Sequence, residues 1–308
     1  MENIKRIAVL YGGSSSEREI SLLSGQGIYS ALCEIGYQCQ LIDYKNLKDL
    51  IELKNYDFVF IALHGFEGEG GKLQKDLDDL NILYSGSKSE ACRNTWNKGL
   101  TKKILKANNI NTPIFIELEK FDPEIVKSKI NDASFDLFRP YDNLFLKPNE
   151  DGSSVDIFKI NDEDSIKKAY AKCSNPNRGF LIEEFIDGRE ITVTVIGKDC
   201  FPPVEIITNN EFYDYDAKYV SDETLHIEAK LSLSELNDVK LISKKVFDVL
   251  DCKGWARIDF LKDNQGNFYV IEVNTVPGMT EHSNVPKSGS LSGLNYNQVV
   301  QKIIHESL

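Results

Sequence analysis

The chain has 308 residues, 41% of them hydrophobic, with 48 Asp and Glu against 36 Lys and Arg for a formal net charge of -12. That length predicts two or three compact units with real cores, and the acidic balance argues against nucleic acid, whose partners show clustered Lys and Arg. No signal peptide or membrane span is expected, and six scattered cysteines without C-x-x-C spacing read as reduced thiols in a cytoplasmic protein.

The first element is an apolar, strand-like run, RIAVLY, which breaks at Gly12-Gly13; three serines then lead into a helical pattern. Such a layout ordinarily holds phosphate at a helix N-terminus, yet this helix opens with Glu17 and Glu19. Ser14 with Glu17, and Ser16 with Glu19, both match a capping box. Apolar positions Ile20, Leu23, Gly27, Ile28, Ala31, Leu32 and Ile35 then recur near the helical period. QCQLIDY, a short polar helix and DFVFIALHG complete a βαβαβ order, which predicts an open parallel sheet with its ligands beyond the carboxyl ends of the strands. Gly12-Gly13 and His64-Gly65 fall at two such ends and are expected to face one crevice.

From about Lys88 the texture changes. A basic helix, WNKGLTKKILKANN, precedes TPIFIEL and NLFLKPNEDGSSVDIFKI, and from RGFLIEEFIDGREITVTVIG onward the strands take an antiparallel character. DETLHIEAK reads as a loop, SLSELNDVKLISKKVFDVL as an amphipathic helix, and GWARIDFLK and NFYVIEVNT as two strands. The fold class is therefore α/β and α+β: an N-terminal open parallel α/β unit over 1–95, a small α+β unit over 96–185 and a larger one over 186–308.

The two late strands carry the most testable chemistry. KDNQGN is a turn signal joining them as a hairpin. With a loop from Asn264 to Asn267, Asp263 opposes Phe268, Asp259 opposes Glu272 and Arg257 opposes Asn274, so Arg257, Asp259, Glu272 and Asn274 share one face. A slip of one residue would separate the pairs. Two carboxylates and an amide are hard oxygen ligands suited to Mg²⁺; a salt-bridged face neutralised by Arg257 is the other reading. In FLKPNEDGSSV, Lys147 and the Gly-Ser-Ser loop are able to surround phosphates, although the stretch is no Walker A loop and also reads as a surface hairpin. In LIEEFIDGRE, Glu183, Glu184 and Glu190 suit ribose and adenine contacts, or else form a solvated acidic turn. EFYDYDAKYVSDET is a candidate lid or an aromatic surface patch.

Taken in order, LYGGSSSEREISLLSG, FIALHGFEGEGGKLQ, LKPNEDGSSV, IEEFIDGREITV, FYDYDAKYVSDET, CKGWARIDF and IEVNTVPGMTEHS resemble the ATP-grasp ligases, and among them the D-alanine–D-alanine ligase family. The match runs nearly end to end. It implies that 1–95 binds substrate and that 96–185 and 186–308 form a two-domain ATP-grasp fold. ATP would phosphorylate the carboxylate of one D-alanine, and the amine of a second would displace phosphate, giving the dipeptide of peptidoglycan precursors. By the same resemblance Glu17 holds the first ammonium, leaving the helix cap to Ser16 and Glu19, and Ser153 and Tyr219 join Glu17 in a hydrogen-bonded set. Tyr219 favours an amine as second nucleophile. Lys98, Lys147 and Lys218 contact phosphate, and Glu183, Glu184 and Glu190 lie on the adenine and ribose side. Asp259, Glu272 and Asn274 bind two Mg²⁺ ions, with Mn²⁺ as a substitute. Arg257 and the Gly278 N–H stabilise the oxyanion, Ser283 receives the second carboxylate beside Asn284, and His64 and Lys218 help to position substrate. The resemblance also implies a homodimer with no nucleic-acid or membrane partner.

Three departures stand out: Asp156 where relatives usually carry Gly, Asn284 where Leu is common, and a polar, glycine-rich PKSGSLSG where a helix is expected. Alternatives are a ligase using D-lactate or D-serine as second substrate, and a nucleotide-binding relative without catalysis. A dinucleotide oxidoreductase is disfavoured because GGSSSE lacks G-x-G-x-x-G.

Overall fold

A computed structural model describes residues 4–131, 144–152, 155–208 and 224–308. The sequence assignments at Ser153, Lys218 and Tyr219 lie outside these described residues.

The first sheet has the order β2-β1-β3, with β1 (Arg6–Tyr11), β2 (Gln38–Asp43) and β3 (Phe58–Ile61) parallel. Ile7 to Leu10 and Phe58 to Ile61 are fully buried, as expected of parallel strands covered on both faces. Helix α1 (Arg18–Ile35) buries Ser21, Ser24, Gly25, Ile28, Ala31 and Leu32. Its small residues permit close approach, since a Cβ on Gly25 would come within 2.5 Å of the Tyr11 side chain. The expected apolar stripe is therefore shifted, and Leu23 is 60% exposed. The capping assignment also changes: Glu17 itself is the N-cap and no side chain caps the helix. Ser15 Oγ instead accepts from the Glu17 N–H at 3.3 Å, closing a local turn.

Helices α2 (Phe66–Glu69), α3 (Lys72–Asp79), α4 (Ser89–Trp96) and α5 (Lys98–Ala107) follow. The basic segment expected as one helix divides at Asn97, whose Oδ1 accepts from the Leu100 N–H at 2.8 Å and starts α5. A second sheet has the order β4-β7-β5-β6, formed by β4 (Phe115–Leu118), β5 (Leu144–Pro148), β6 (Phe158–Ile160) and β7 (Phe180–Glu184), all antiparallel. Helices α6 (Pro123–Ile130) and α7 (Glu163–Lys172) bury Val126, Ile130, Ile166 and Ala169 in its core. The third sheet runs β11-β10-β8-β12-β13, with β9 (Asp199–Cys200) on β8 (Gly188–Ile196). Its other strands are β10 (Val204–Ile207), β11 (Leu225–Glu228), β12 (Trp255–Asp263) and β13 (Phe268–Asn274). Helix α8 (Leu233–Val249), with a Ser232–Glu235 capping box, supplies Val239, Val246 and Phe247 to that core.

One local expectation is corrected here, and one is met against local composition. Leu225–Glu228 is a strand rather than a loop, because its backbone pairs with β10. The polar PKSGSLSG segment, where a helix is expected, is helical from Pro286 to Leu291 within α9 (Asn284–Leu291), followed by α10 (Tyr296–Ser307) with an Asn295–Gln298 capping box. Helix α9 is held by burial of Val285, Ser288 and Gly289, so packing outweighs its weak propensity. Helix α10 returns to the first core, where Val299, Val300, Ile303 and Ile304 join Ile28 and Leu32 of α1.

The late hairpin differs from a plain ladder at one residue. Near the turn Lys262, not Asp263, opposes Phe268, and a bulge at Asp259/Phe260 leaves Ile271 without a partner. Beyond it Asp259 faces Glu272 and Arg257 faces Asn274, the pairs expected from sequence. The Val270 N–H donates to Asn111 O at 2.9 Å, and Thr112 Oγ1 donates to Val270 O at 2.7 Å, anchoring the bulge from outside the hairpin.

Candidate active site

Two cavities adjoin. The larger, about 750 Å³, lies beyond the carboxyl ends of β1 and β3 and reaches the β12–β13 face and the start of α9. The smaller, about 410 Å³, lies between β5 and β7 on one side and β8, β10, β12 and β13 on the other. Lys98, Asp151, Gly152 and Glu272 line both.

The glycine-serine loop is already filled with acceptors from the protein itself. The Gly12 N–H donates to Ser21 Oγ at 2.8 Å, Gly13 N–H to Asp43 Oδ1 at 3.2 Å and Ser14 N–H to Glu67 Oε2 at 2.6 Å. Arg18 pairs with Asp43 at 2.6 Å and donates to Gly13 O at 2.6 Å. Gly12 and Gly13 both have φ near +75°, at 76° and 75°, which favours glycine. The loop's amides are thus taken up by a serine hydroxyl and two carboxylates of the protein, and Glu17 faces the larger cavity. A Cβ on Gly152 would fall 2.9 Å from Glu17 Oε2, so the second unit closes directly over that carboxylate.

His64 lines the same cavity, but both its ring nitrogens serve the scaffold. Nδ1 lies 2.9 Å from Val276 O, which only accepts, so Nδ1 carries the proton. Nε2 lies 3.2 Å from Ser24 Oγ, which itself accepts from the Met279 N–H at 3.1 Å. Burial lowers the pKa of His64 against the opposing pull of Glu17, keeping the ring neutral. The ring thereby fixes the 276–279 segment to the first unit, and with it Gly278. A Cβ at Gly278 would come within 2.9 Å of Ser283 Oγ, and Ser283 Oγ accepts from the Thr280 N–H at 3.0 Å. Next to it, buried Asn284 directs Oδ1 to His226 Nδ1 at 2.6 Å.

On the hairpin face, Arg257 Nη2 lies 2.8 Å from Asp259 Oδ2 and 3.9 Å from Glu272 Oε1. Asn274 Nδ2 donates to Asp259 Oδ2 at 3.3 Å, and Thr192 donates to Asp259 Oδ1 at 2.6 Å. Arg257, Glu272 and Asn274 line the larger cavity, whereas Asp259 is buried beneath them. The four residues meet as their spacing predicts, and the salt-bridged reading of this face also holds.

The smaller cavity gathers Lys98, Lys147, Glu183 and Glu190. Lys98 Nζ donates to Asp151 O at 2.5 Å, and Lys147 Nζ lies 2.5 Å from Glu183 Oε1. Burial would raise Glu183, but Lys102 and Lys147 outweigh it and hold the carboxyl below its usual range. Strand alternation turns Glu184 to the other face, where Oε2 accepts from the Ile114 N–H at 3.2 Å, and its side chain is not in the cavity wall.

The sequence reading missed Glu69 and Arg178. Glu69 is buried in the wall of the larger cavity and accepts from the Gly65 N–H at 3.1 Å; burial and the nearby Glu17 push its carboxyl well above the usual range. The acidic, glycine-rich FEGEGG after His64 carried that signal. Asp156, with φ at +56°, does not add charge to the phosphate side: Arg178 Nη2 pairs with it at 2.6 Å, and Ser174 Oγ donates to it at 2.6 Å. Arg178 also pairs with Asp151, tying both ends of the loop together. Asp156→Gly is expected to relieve the backbone yet lower stability by about 1–2 kcal/mol, since Arg178 and Ser174 lose a buried acceptor. A denaturant midpoint equal to wild type would show that the backbone term dominates.

Two antiparallel sheets closing on a polar cavity, Lys147 on one, hard oxygen donors on the other and Lys98 at a helix start between the cavities, with a parallel α/β unit completing the larger cavity, define a ligase of the ATP-grasp fold. Residues 104–305 match the family model described as D-ala D-ala ligase C-terminus. The chain is 37% identical over 304 residues to D-alanine–D-alanine ligase B of Clostridium perfringens, covering 98% of each, and 38% identical over 309 residues to the D-alanine–D-alanine ligase of Haemophilus ducreyi, covering 99% and 100%. It superposes on the crystal structure of the Bacillus anthracis D-alanine–D-alanine ligase complexed with ATP, with a TM-score of 0.83, 32% identity and coverage of 98% and 97%. The chain belongs to the D-alanine–D-alanine ligase family.

Proposed function

We propose that the protein uses ATP to join two D-alanine molecules into D-alanyl-D-alanine, the dipeptide of peptidoglycan precursors. The observation that carries this reading is the junction of the two cavities. Lys98, Asp151, Gly152 and Glu272 line both, so a nucleotide in the smaller would present its terminal phosphate to a carboxylate in the larger. In this reading Glu17 holds the first ammonium, and Lys98 and Lys147 neutralise phosphate charge as it transfers. Arg257 and the Gly278 N–H stabilise the oxyanion formed when the second amine attacks the acyl phosphate, and Ser283 receives the second carboxylate. Lys218, Ser153 and Tyr219 keep the roles that the family resemblance implies. Glu183 and Glu190 hold the adenine and ribose, with Glu184 shaping β7 beside them.

The donor chemistry fits Mg²⁺. Among the described residues no three His, Cys, Asp or Glu side chains gather as a metal cluster. Two carboxylates and an amide, from Asp259, Glu272 and Asn274, leave room for the phosphate oxygens and water that Mg²⁺ retains. When bound, two such ions, or Mn²⁺, would offset the phosphate charge. The substrate-binding unit is assigned to 1–95 and the two ATP-grasp units to 96–185 and 186–308. Among the described residues no helix is long and apolar enough to cross a membrane. A cytoplasmic homodimer without nucleic-acid partners completes the reading.

A second reading, with D-serine or D-lactate as the second substrate, is favoured by the polar Asn284–His226 pair beside Ser283. Phosphate release from ATP with Mg²⁺ and D-alanine, with mass identification of the product, tests both. D-Alanyl-D-alanine matched to phosphate is the expected result. A mixed product with D-serine or D-lactate in preference would support the second reading, and nucleotide binding without product would overturn catalysis.

A further inference from the structure

Lys102 is a buried cation that the reaction outlined above does not use. Its side chain is 1% exposed, and it lines neither cavity. Nζ forms an ion pair with Glu183 Oε2 at 2.7 Å and donates to Thr112 Oγ1 at 2.7 Å. The Phe115 ring lies below it, 5.7 Å from Nζ to the centroid. Thr112 in turn donates to Val270 O, the residue beside the β13 bulge. Glu183 is thus held from two sides, by Lys102 at the back and by Lys147 at 2.5 Å in front. Only Glu183 and Lys147 reach the smaller cavity.

Burying a lysine so completely is costly, and an apolar side chain of similar volume would serve packing as well or better. The arrangement makes sense as charge arithmetic. Lys147 and Glu183 alone would form a neutral, self-satisfied pair. With Lys102 the buried group has two cations and one anion, a net charge of about +1 whose only outlet is the cavity wall.

We propose that Lys102 is a positioning residue for the nucleotide: by holding the Glu183 carboxylate from behind, it leaves Lys147 with positive charge to present to the polyphosphate. This rests on the nucleotide reading of the smaller cavity. Lys102 acts through Glu183 and Lys147 and touches no substrate itself. The charged groups around it are Lys98 and Lys106 on its own helix, Lys147 on β5 and Glu183 on β7, and β4 and β13 contribute the Phe115 ring and, through Thr112, the Val270 carbonyl. Burial pulls the Lys102 ammonium down to about 8, with Glu183 opposing and Lys147 and Lys98 assisting. Above that pH the group loses its net charge, and nucleotide affinity should fall with it.

The test measures binding of a non-hydrolysable ATP analogue with Mg²⁺ by calorimetry from about pH 7.5 to 9.5, where the nucleotide phosphates are already ionised. Wild type, Lys102→Arg, Lys102→Met and Lys102→Met/Glu183→Gln are compared, with kcat and both KM values at pH 7.5. Wild-type affinity is expected to fall through about pH 8, and the step should be absent in Lys102→Arg. Lys102→Met should bind the analogue roughly tenfold or more weakly, raise the KM for ATP and leave that for D-alanine unchanged. The double variant, which restores the net charge, should recover part of the loss. A folded Lys102→Met variant that binds like wild type would overturn the proposal. If that variant does not fold, a flat wild-type profile, or a step retained in Lys102→Arg, overturns it equally. Failure of wild type to bind at any pH would instead overturn the nucleotide reading, and the proposal with it.

Discussion

Arg257→Ala is expected to reduce turnover by about 10²–10³-fold, the usual effect of removing a donor to an oxyanion. The guanidinium contacts Asp259 at 2.8 Å and Glu272 at 3.9 Å, so its loss also leaves two facing carboxylates without their shared cation. The two effects separate kinetically. Loss of oxyanion stabilisation lowers kcat with little change in the KM for ATP, whereas carboxylate repulsion alters the Mg²⁺ dependence. A lysine at this position cannot substitute fully, because one ammonium does not reproduce the two-pronged contact that Arg257 makes to Asp259. Arg257→Lys should therefore remain at least tenfold impaired, about 1.4 kcal/mol in barrier height. Steady-state assays of phosphate and dipeptide at saturating Mg²⁺ check both variants. Turnover within about threefold of wild type for Arg257→Ala, less than about 1 kcal/mol in the barrier, would remove the residue from the chemistry.

Trp255→Ala should destabilise the protein by about 3–5 kcal/mol, the range for truncating a large buried aromatic. Trp255 is 1% exposed and meets Phe60 of β3 edge-on at 6.2 Å between ring centroids. It opens the strand that carries Arg257 and Asp259, yet packs in the first core beside α10. The cavity left behind would loosen the first unit against the catalytic hairpin as well as lower the unfolding midpoint. Guanidinium unfolding followed by circular dichroism measures the first effect, and the KM for D-alanine reads the second. A loss below about 1 kcal/mol would mean that the site collapses around the smaller side chain.

Much of this site was legible from local pattern. Strand alternation placed Arg257 with Asp259 and Glu272 with Asn274, and the parallel βαβαβ order set the ends of β1 and β3 side by side, although of Gly12, Gly13, His64 and Gly65 it is His64 that lines the larger cavity. Both rest on periodicity, which neighbouring residues alone impose. The cap of α1 was misread because Ser14 with Glu17 and Ser16 with Glu19 both fit a capping box, and the choice depended on Asp43 and Glu67 supplying acceptors from elsewhere. The role of His64 depended in the same way on Val276 and Ser24.

By itself the sequence determined which chemistries the chain carries: hard oxygens on a hairpin, lysines beside a Gly-Ser-Ser loop, and a carboxylate at a helix start. Only the tertiary structure decided how they are held. The bulge at Ile271 keeps Asp259 opposite Glu272, and it is anchored by Asn111 and Thr112, far away in sequence. Lys102 meets Glu183, Arg178 meets Asp156, and α10 returns to the first core. Periodicity is written in adjacent residues, whereas the partner of a buried charge is set by which distant segments the packed chain brings within a few ångströms.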